Sequence, residues 1–406
     1  MTGRPEHVLI VGAGLGGLRT AEQLRAAGFT ARISLVGAEP HPPYDRPPLS
    51  KQVLTGEWEP ERVVLRDAEA LADLGVRAHL GLPAVALHPG AVEIADGATL
   101  HGDAIVLATG VVARRLPGQP DGPPVYTLRT VDDALALRGA LAGARSLLVV
   151  GGGFIGAEVA SGARAAGLDV TVLEALPVPL SRALGAEVGS LCARLLTEAG
   201  VDLRTGTRLE RFLDGDGAGV ELAGGERVTA DVVLVGVGAE PRLEWLAGSG
   251  LGTPDIGGLA CDATGRVVGA PGVWAVGDVA AWEDPVRGAR YRCEHWTNAG
   301  DQAAVVARDI LGEPAPPPAV PYFWSDQFGL KIQLIGRPDL ADTVVPLHGA
   351  GLSGGAVKGT VAGYLAGGRL VAVAGFGAAR RVVRYRDLVA RGASEAETGA
   401  LAASLA

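Results

Sequence analysis

Apolar and polar positions at the start of the chain follow the pattern of one compact unit. Residues 7–11 and 31–36 are short apolar runs, and residues 18–27 between them have apolar side chains at helical spacing. Short continuous apolar runs predict buried strands of a parallel sheet, and helical spacing predicts an amphipathic helix. The helix is expected to end at Gly28, because glycine readily takes the backbone conformation that closes a helix. This segment is therefore predicted to be a β-α-β unit.

The turn between the first predicted strand and the helix is rich in glycine. Residues 12–17 read Gly-Ala-Gly-Leu-Gly-Gly and match the G-x-G-x-x-G pattern. In this pattern two glycines allow a tight turn and a close approach to a pyrophosphate, while the third allows helix and strand to pack closely. Glu39 follows Gly12 by 27 residues, at the end of the second strand, where a carboxylate binds ribose hydroxyls. The unit is predicted to bind a dinucleotide.

The same pattern occurs a second time. Residues 146–150 predict a strand, 151–156 are a second glycine turn, 157–166 predict a helix and 170–173 a strand, and Glu174 follows Gly151 by 23 residues. A single dinucleotide-binding domain with an accidental glycine run would leave this second acidic terminus unexplained. One mononucleotide-binding half cannot present two pyrophosphate turns, so the sequence predicts two dinucleotide sites.

Further strand-glycine segments indicate how the domains are arranged along the chain. Residues 104–108 and 232–237 are apolar runs followed by glycine, as expected where the chain crosses between two interleaved domains. Asp278 follows another such strand, where its carboxylate could accept hydrogen bonds from the ribityl hydroxyls of a flavin. A proline-rich joint at 314–321 precedes the last part of the chain. The predicted fold class is α/β, with two interleaved Rossmann-like domains, 1–107 with 232–313 and 108–231, and a C-terminal α+β domain, 320–406.

Composition excludes several classes of protein. Of 406 residues, 48% are hydrophobic, no apolar run reaches the length of a membrane span, and the N-terminus shows no signal region, so a soluble cytoplasmic protein is expected without a membrane partner. The net charge of −9 argues against nucleic acid. The three cysteines, Cys192, Cys261 and Cys293, are far apart and the histidines do not cluster, so no bound metal is predicted.

Eight motifs in order carry a resemblance to a known family. They are GAGLGG at 12–17, PPYDRPPLSK at 42–51, VLATG at 106–110, LRT at 128–130, GGGFIGAE at 151–158, VWAVGDVA at 273–280, EHWTNAGDQA at 294–303 and PYFWSDQFG at 321–329. Over nearly its whole length the chain resembles the FAD-dependent, NADH-using ferredoxin reductases of the two-dinucleotide-binding flavoprotein superfamily. This family includes putidaredoxin reductase, rubredoxin reductase and the reductases of aromatic-ring dioxygenases.

The resemblance implies a cofactor for each glycine turn. The residues expected to bind FAD are Gly12, Gly14, Gly16 and Gly17 at its pyrophosphate, Glu39 at the adenosine ribose, Asp278 near the ribityl phosphate, and Arg46, Lys51, Val85, Arg129 and Trp296 along the flavin. The residues expected to bind NADH are Gly151, Gly153, Gly156, Glu158, Glu174 and Gly238. Where the family often has Pro-Asn after this last turn, the chain has Pro241-Arg242, so no role is assigned to Arg242.

Two residues are candidates for a catalytic role. Hydride transfer between cofactors needs positioning groups rather than an obligatory protein acid or base. Glu158 is expected in the first turn of the helix after the second glycine turn, pointing toward the nicotinamide; alternatively, it is only an acid that favours the helix start. Lys51, one of three lysines, follows a stiff proline segment at an expected Ser-capped helix start. It is either an ordinary solvated charge or the partner of Glu158 beside the flavin.

The route of the electrons can also be predicted. Disulfide reductases of the superfamily use a cysteine pair after the first glycine turn, but residues 43–51 contain no cysteine. Electrons are therefore expected to leave the flavin directly for a [2Fe-2S] or related ferredoxin that serves an oxygenase such as a haem-thiolate monooxygenase. The alternatives are a rubredoxin reductase, an NADH oxidase or a redox sensor of the apoptosis-inducing-factor type. No histidine or cysteine suggests covalent attachment, so FAD is expected to be non-covalent, and Glu174 favours NADH over NADPH.

The ferredoxin is expected to dock on basic residues. The densest arginine run contains Arg380, Arg381 and Arg384 and continues to Arg391, and it could be assisted by Arg287, Arg290 and Arg292. A solvated helix face is the alternative interpretation of this run. The protein is expected to be a monomer or a homodimer.

Overall fold

The computed structural model describes residues 4–213, 218–251, 257–284 and 288–405. The α-helices of these residues are α1 (Leu15–Ala26), α2 (Ala68–Asp73), α3 (Val131–Ala142), α4 (Phe154–Ala165), α5 (Ser181–Glu198), α6 (Trp296–Leu311), α7 (Ala379–Val382), α8 (Arg386–Ala390) and α9 (Glu395–Ser404). Short 3-10 helices include Pro47–Ser50 and Gly277–Val279. Within the described ranges, no helix is both long and apolar enough to span a membrane.

The strands are short and belong to parallel and antiparallel sheets. They are β1 (His7–Val11), β2 (Arg32–Val36), β3 (Val76–His79), β4 (Ala84–His88), β5 (Ala91–Ile94), β6 (Thr99–His101), β7 (Ala104–Leu107), β8 (Val112–Ala113), β9 (Val125–Tyr126), β10 (Ser146–Val150), β11 (Asp169–Leu173), β12 (Asp202–Arg204), β13 (Leu209–Phe212), β14 (Ala218–Leu222), β15 (Arg227–Ala230), β16 (Val232–Val235), β17 (Ala239–Glu240), β18 (Leu259–Cys261), β19 (Val273–Ala275), β20 (Ala280–Asp284), β21 (Ala289–Arg292), β22 (Tyr322–Gln327), β23 (Leu330–Gly336), β24 (Thr343–His348), β25 (Val361–Ala366) and β26 (Arg369–Phe376).

The chain forms two compact units, of which the first comprises described residues of 1–45, 60–112 and 239–319. Its main sheet has the order β19-β7-β1-β2-β3, and every pairing in it is parallel. Strands β1 and β7 are buried along almost their whole length, as expected of strands that are covered on both faces. Helices α1 and α6 pack against each other. The first glycine turn lies at the carboxyl end of β1, where open α/β sheets bind ligands.

The second unit comprises described residues of 46–59, 113–238 and 320–406. It contains a parallel sheet of order β12-β11-β10-β16-β9 and an antiparallel sheet of order β22-β23-β26-β25-β24. Helix α4 follows β10 and packs against β22 of the antiparallel sheet as well as against β10 and β11. The residues after the second glycine turn therefore contact strands from the C-terminal part of the chain.

The fold class expected from the sequence is confirmed, and the differences lie at the starts of helices. The strands at 7–11 and 146–150 have the expected bounds, but α1 and α4 begin at Leu15 and Phe154, three residues before the expected starts. The apolar spacing could not place these starts because the first turn of each helix is made from the glycine motif itself. The three-domain division stays a prediction, and the structure groups residues 46–59 with the second unit.

Candidate active site: two glycine turns and a buried ion pair

The first glycine turn has a backbone that only glycine accommodates. Gly12 has φ +118° and its amide donates to the carbonyl of Val36 at 2.7 Å. A Cβ at Gly12 would overlap the carbonyl of Ala108, and a Cβ at Gly17 would overlap the carbonyl of Gly12. These two glycines allow the strand, the turn and α1 to pack without a gap.

The middle of the first turn is open. A Cβ at Gly14 would meet no atom within 4 Å, whereas one at Gly16 would lie 3.2 Å from a methyl of Val276. Gly14 is the N-cap of α1, no side chain caps it, and the first turn of the helix carries no acid. The helix therefore presents amides and partial positive charge at a position with room for an anion. This cradle has room for a pyrophosphate, which is expected to be that of FAD.

Other residues expected to bind FAD are found in the first unit. Glu39 follows β2 and its Oε2 accepts a short hydrogen bond from the hydroxyl of Tyr44. Trp296 is the first residue of α6, and its indole N–H donates to Oδ1 of Asp45 at 2.6 Å. Val85 on β4 has 44% of its surface exposed, so an apolar side chain is available on this unit.

Asp278 lies in the 3-10 helix that follows β19. The preceding Gly277 has φ +74°, and its amide donates to Oε1 of buried Gln302 at 2.7 Å. The carbonyl of Asp278 accepts a hydrogen bond from Arg292 at 3.1 Å. The backbone around Asp278 is thus fixed by contacts with α6 and β21.

The second glycine turn repeats the geometry of the first. Gly151 has φ +109° and its amide donates to the carbonyl of Leu173 at 2.8 Å. A Cβ at Gly151 would overlap the carbonyl of Gly236, and one at Gly156 would overlap that of Gly151. Gly153 is the uncapped N-cap of α4, and its nearest neighbour for an added Cβ is 3.8 Å away. This turn also has room for a pyrophosphate, which is expected to be that of NADH.

Glu174 is held by the backbone at the end of β11. Its Oε2 accepts a hydrogen bond from the amide of Gly152 and its Oε1 one from the amide of Leu176, each at 2.8 Å. The carboxylate is therefore fixed beside the second turn, and its ribose-binding role stays a prediction. Gly238, expected nearby, has φ +103° and accepts a hydrogen bond from the amide of Arg114 at 3.0 Å.

The structure brings Lys51 and Glu158 together. The Lys51 ammonium lies 2.7 Å from Oε2 of Glu158, and their side chains are 12% and 6% exposed. Ser50 donates to the same oxygen at 2.5 Å, and the ammonium also donates to the carbonyl of Pro47 at 3.0 Å. The expected pairing of these residues is confirmed, whereas their catalytic role stays a prediction.

Two expectations about the surroundings of this pair were wrong. Glu158 is not in the first turn of α4, because the helix begins at Phe154. The charge is therefore stabilised by its ion pair and hydrogen bonds more than by the helix N-terminus. Ser50 does not cap a following helix; it ends the 3-10 helix Pro47–Ser50, and its hydroxyl is used by Glu158 instead.

The other oxygen of Glu158 is bound by a residue that sequence reasoning missed. Ser325 on β22 donates to Oε1 at 2.5 Å, and Gln327 donates to the Ser325 hydroxyl at 3.0 Å. Both side chains are buried. The signal available in the sequence was the PYFWSDQFG motif together with the need of a buried carboxylate for several donors.

The other residues expected along the flavin include two arginines of the second unit. Arg46 donates to the carbonyl of Arg129 at 2.7 Å, and the amide of Arg129 donates to Asp133 at 2.9 Å. Asp133 also belongs to the capping box of α3 with Thr130. Within this unit, a hydrogen bond from Arg46 therefore connects the segment 46–51 to Arg129. Val85, Asp278 and Trp296 belong to the first unit.

The three cysteines do not form a redox pair. All three are buried, and none of them is in a disulfide bond. Burial raises the pKa of the Cys192 thiol to about 12 and, together with the charge of Asp262, the pKa of Cys261 to about 12. Such thiols stay protonated and unreactive at neutral pH. Among the described residues, no group of histidine, cysteine and acidic side chains could hold a metal ion.

The arginine run forms α7, a 3-10 turn and α8 of the second unit. Arg380 and Arg384 are exposed and Arg381 is half-buried, whereas Val382 and Tyr385 point into the core. Val383 beside them is 57% exposed. The run is thus an amphipathic segment with an exposed basic side. Arg287, considered as an additional contributor, lies outside the described residues.

Comparison with known proteins agrees with this geometry. A family model described as pyridine nucleotide-disulphide oxidoreductase matches residues 6–303, and one described as reductase C-terminal matches 322–404. The chain is 39% identical to rhodocoxin reductase of Rhodococcus erythropolis, with 83% of this chain and 80% of the relative covered.

Two other similarities cover almost the whole chain. The ferredoxin–NAD(+) reductase component of the anthranilate 1,2-dioxygenase system of Burkholderia cepacia is 38% identical, with 95% of this chain and 94% of the relative covered. The reductase in a covalent putidaredoxin reductase–putidaredoxin complex superimposes with a TM-score of 0.91 at 30% identity, covering 97% of this chain and 95% of that chain. The chain therefore belongs to the pyridine nucleotide-disulphide oxidoreductase family, as a FAD- and NADH-dependent oxidoreductase similar to its ferredoxin reductases.

Proposed function

We propose that the protein is an NADH:ferredoxin reductase, which passes electrons from NADH through FAD to a small [2Fe-2S] or related ferredoxin that serves an oxygenase. The observation that carries this proposal is the segment at 43–51. Where a disulfide reductase would have its cysteine pair, this segment has no cysteine and supplies a lysine, 12% exposed, that pairs with Glu158. The names of the relatives, which include a ferredoxin–NAD(+) reductase, support the same conclusion.

In this proposal, the residues of the chain bind the two dinucleotides and orient them. FAD, when bound, supplies the redox chemistry by accepting a hydride and releasing electrons singly. The two glycine turns would hold the phosphates of the two dinucleotides, and Glu39 and Glu174 their ribose hydroxyls. Arg46, Lys51, Arg129, Val85, Asp278 and Trp296 are proposed to hold the flavin part of FAD.

Lys51 and Glu158 are proposed as the catalytic pair. Each charge compensates the other, because both side chains are largely removed from water. Neither charge alone would offset the free-energy cost of its desolvation. Glu158 accepts hydrogen bonds from two serines and an ammonium, which leaves its carboxylate little freedom to rotate. An oriented ion pair favours one position of the nicotinamide ring over others. The rate of hydride transfer to the flavin then rises through proximity and orientation.

The oxygenase served is proposed to be a haem-thiolate monooxygenase. An aromatic-ring dioxygenase is the second candidate, favoured by the name of the Burkholderia relative, which is a component of the anthranilate 1,2-dioxygenase system. Reconstitution of turnover with one ferredoxin and each class of oxygenase distinguishes the two. Transfer of electrons to the ferredoxin should be independent of the oxygenase, because the ferredoxin carries electrons between them.

The test of the reductase activity is a comparison of electron acceptors. The FAD-loaded protein with NADH should reduce a ferredoxin much faster than it reduces oxygen. Rapid reduction of oxygen alone would indicate an NADH oxidase, and preference for rubredoxin would indicate a rubredoxin reductase. A reduced flavin that persists with bound NAD in the presence of ferredoxin would indicate a redox sensor.

The docking surface is proposed to be the basic side of α7 and the turn after it, residues 380–384. Replacing Arg380, Arg381 and Arg384 by Glu should raise the apparent KM for ferredoxin, while ferricyanide reduction, which needs no docking surface, should stay nearly unchanged. A matched triple variant replaces Arg32, Arg77 and Arg208 by Glu; all three are exposed and none belongs to the 380–384 run. It changes the net charge equally, so it controls for long-range attraction.

The outcomes of the docking experiment separate three cases. Loss of activity with both acceptors would mean that the arginine run supports the fold. Equal effects of the two triple variants would mean that only net charge matters. No effect of the 380–384 variant would place the docking surface elsewhere. Rising salt should slow ferredoxin reduction, because the Debye length falls to about 8 Å near 0.15 M.

A further inference from the structure

The β22–β23 hairpin of the antiparallel sheet lies along α4. The ring of Phe323 is 4.3 Å from that of Phe154, centre to centre, at the start of the helix. One turn later Ser325 binds Glu158, and in the next turn the amide of Phe328 donates to the hydroxyl of Ser161 at 2.7 Å. The contacts follow each other in the same order along the hairpin and the helix, so the position of one element fixes the position of the other.

The hydrogen bonds at Ser325 have a defined direction. Gln327 donates through Nε2 to the Ser325 oxygen, so the serine proton is left to point at Oε1 of Glu158. Ser325 is completely buried and Gln327 is 1% exposed. Oε1 of Gln327 is buried without a partner, so this amide serves Ser325 through its donor side.

The two oxygens of Glu158 are bound by different parts of the unit. Oε2 contacts Lys51 and Ser50 of the segment 46–59, whereas Oε1 contacts Ser325 of the C-terminal sheet. A carboxylate held on one oxygen only can rotate about its last bond, and a carboxylate held on both cannot. Ser325 is therefore placed to fix the orientation of the carboxylate plane relative to the lysine.

We propose that Ser325, oriented by Gln327, is a positioning residue that holds Glu158 in its pairing with Lys51. The proposal rests on the function proposed above, in which this pair orients the reaction, and it adds the C-terminal sheet to the residues that set the geometry of the pair. Ser325 acts through Glu158 and is not itself a catalytic residue.

The chain offers a direct probe of this pairing, because it has only three lysines, Lys51, Lys331 and Lys358. An ammonium in a buried ion pair reacts slowly with an acylating reagent, and it reacts faster when the pair loosens. In the FAD-loaded protein, the rate of acetylation of each lysine can be followed by peptide mass spectrometry. Lys331 and Lys358 serve as internal controls, since neither contacts Glu158.

Ser325→Ala should raise the acetylation rate of Lys51 several-fold, toward the rate found in Glu158→Gln, without changing Lys331 or Lys358. Ser325→Thr keeps a hydroxyl and should restore a slow rate. Gln327→Met should raise the rate less than Ser325→Ala, because the serine is still present but no longer oriented. Gln333→Met is the matched control: Gln333 is a buried glutamine of the neighbouring β23, it donates to Tyr322 at 2.7 Å, and its Oε1 is also unpartnered.

A second readout separates positioning from support of the fold. In Ser325→Ala the rate of flavin reduction by saturating NADH should fall, whereas the apparent KM for NADH should change little. The proposal is overturned if Ser325→Ala leaves Lys51 acetylation unchanged while Glu158→Gln raises it. It is also overturned if all three lysines react faster together, since the hydroxyl would then support folding generally.

The proposed function can fail separately. If Glu158→Gln frees Lys51 but leaves flavin reduction and ferredoxin turnover unchanged, the pair has no part in the reaction. The effect of Ser325→Ala on acetylation would still establish that Ser325 positions the carboxylate.

Discussion

The two glycine turns have nearly the same backbone, yet the helices after them carry different chemistry. Seven residues after the first glycine of each turn stand Arg19 on α1 and Glu158 on α4. Arg19 is 34% exposed and pairs with Glu22 one turn away, whereas Glu158 is 6% exposed and is bound by donors from two distant segments. The glycines thus give both helices an open, uncapped start, whereas the residue in the second turn of each helix differs in burial and in its partners.

The largest expected effect is the difference in stability between variants that lack the Glu158 charge and variants that lack the Arg19 charge. Glu158→Ala leaves the Lys51 ammonium buried without its partner, which should lower the free energy of unfolding by about 4 kcal/mol. Arg19→Ala removes a partly exposed pair at i,i+3 spacing and should cost less than about 1 kcal/mol. Thermal unfolding of the FAD-loaded variants measures both. If Glu158→Ala and Arg19→Ala shifted the unfolding midpoint equally, the two charges would contribute equally to stability, contrary to this comparison.

Alanine substitutions within the two glycine turns test whether the turns depend on the same close backbone contacts. Gly17→Ala and Gly156→Ala force a methyl onto a backbone carbonyl, so each should lower the free energy of unfolding by about 2 kcal/mol. Gly14→Ala and Gly153→Ala put a methyl into open space at ordinary φ, so folding should be almost unaffected.

The same variants should differ in cofactor binding. Because their methyl occupies the proposed phosphate position, Gly14→Ala should lose FAD during dialysis and Gly153→Ala should bind NADH more weakly. Flavin absorbance per chain and NADH titration measure these effects. Full retention of both cofactors in these variants would place the phosphates elsewhere.

A smaller effect is expected from the acids that end the second strands. Glu174 is held by two backbone amides beside the second turn, so Glu174→Gln keeps the shape but removes the charge that repels a 2′-phosphate. The preference for NADH over NADPH in kcat/KM should fall about tenfold, equivalent to about 1.4 kcal/mol. Glu39→Gln is the control in the first unit and should leave this preference unchanged. An unaltered ratio in Glu174→Gln would show that another residue selects the nicotinamide.

The smallest expected effect concerns the cysteines, which neither turn uses. Because the pKa values of Cys192 and Cys261 are raised to about 12, their thiols are protonated across the neutral range. Iodoacetamide should leave NADH-to-ferredoxin turnover intact, as should replacing all three cysteines by serine. Loss of turnover in a serine variant that still binds FAD would mean that electrons pass through a thiol.

The sequence predicted the parts of the molecule in which neighbouring residues decide the structure. Both β-α-β units follow from glycines and apolar runs within about 30 residues, and their parallel strands have the expected places. The helix starts were misplaced because Gly14 and Gly153 serve at once as turn and N-cap, which apolar spacing does not show.

Long-range contacts could be predicted only in part. The pairing of Lys51 with Glu158 was expected because a buried charge needs a partner and both residues lie in recognised motifs. The hydrogen bond between Ser325 and Glu158 joins residues 167 positions apart, and a lone serine carries no pattern that reveals its partner. Residues 46–59 likewise follow the first β-α-β unit in sequence but fold with the second unit, which no local signal indicates.

The way the chain passes between units has a consequence for its synthesis on the ribosome. The first unit begins at the N-terminus, but its edge strand β19 and helix α6 are translated only after most of the second unit. Lys51 likewise emerges long before its partner Glu158 is made, and Ser325, which binds the other oxygen of Glu158, is translated later still. The second unit cannot finish folding until its C-terminal sheet has been translated, so the complete set of contacts at Glu158 is expected to be among the last to form. Ribosome stalling before residue 325 should therefore yield a chain whose lysine is still open to acetylation.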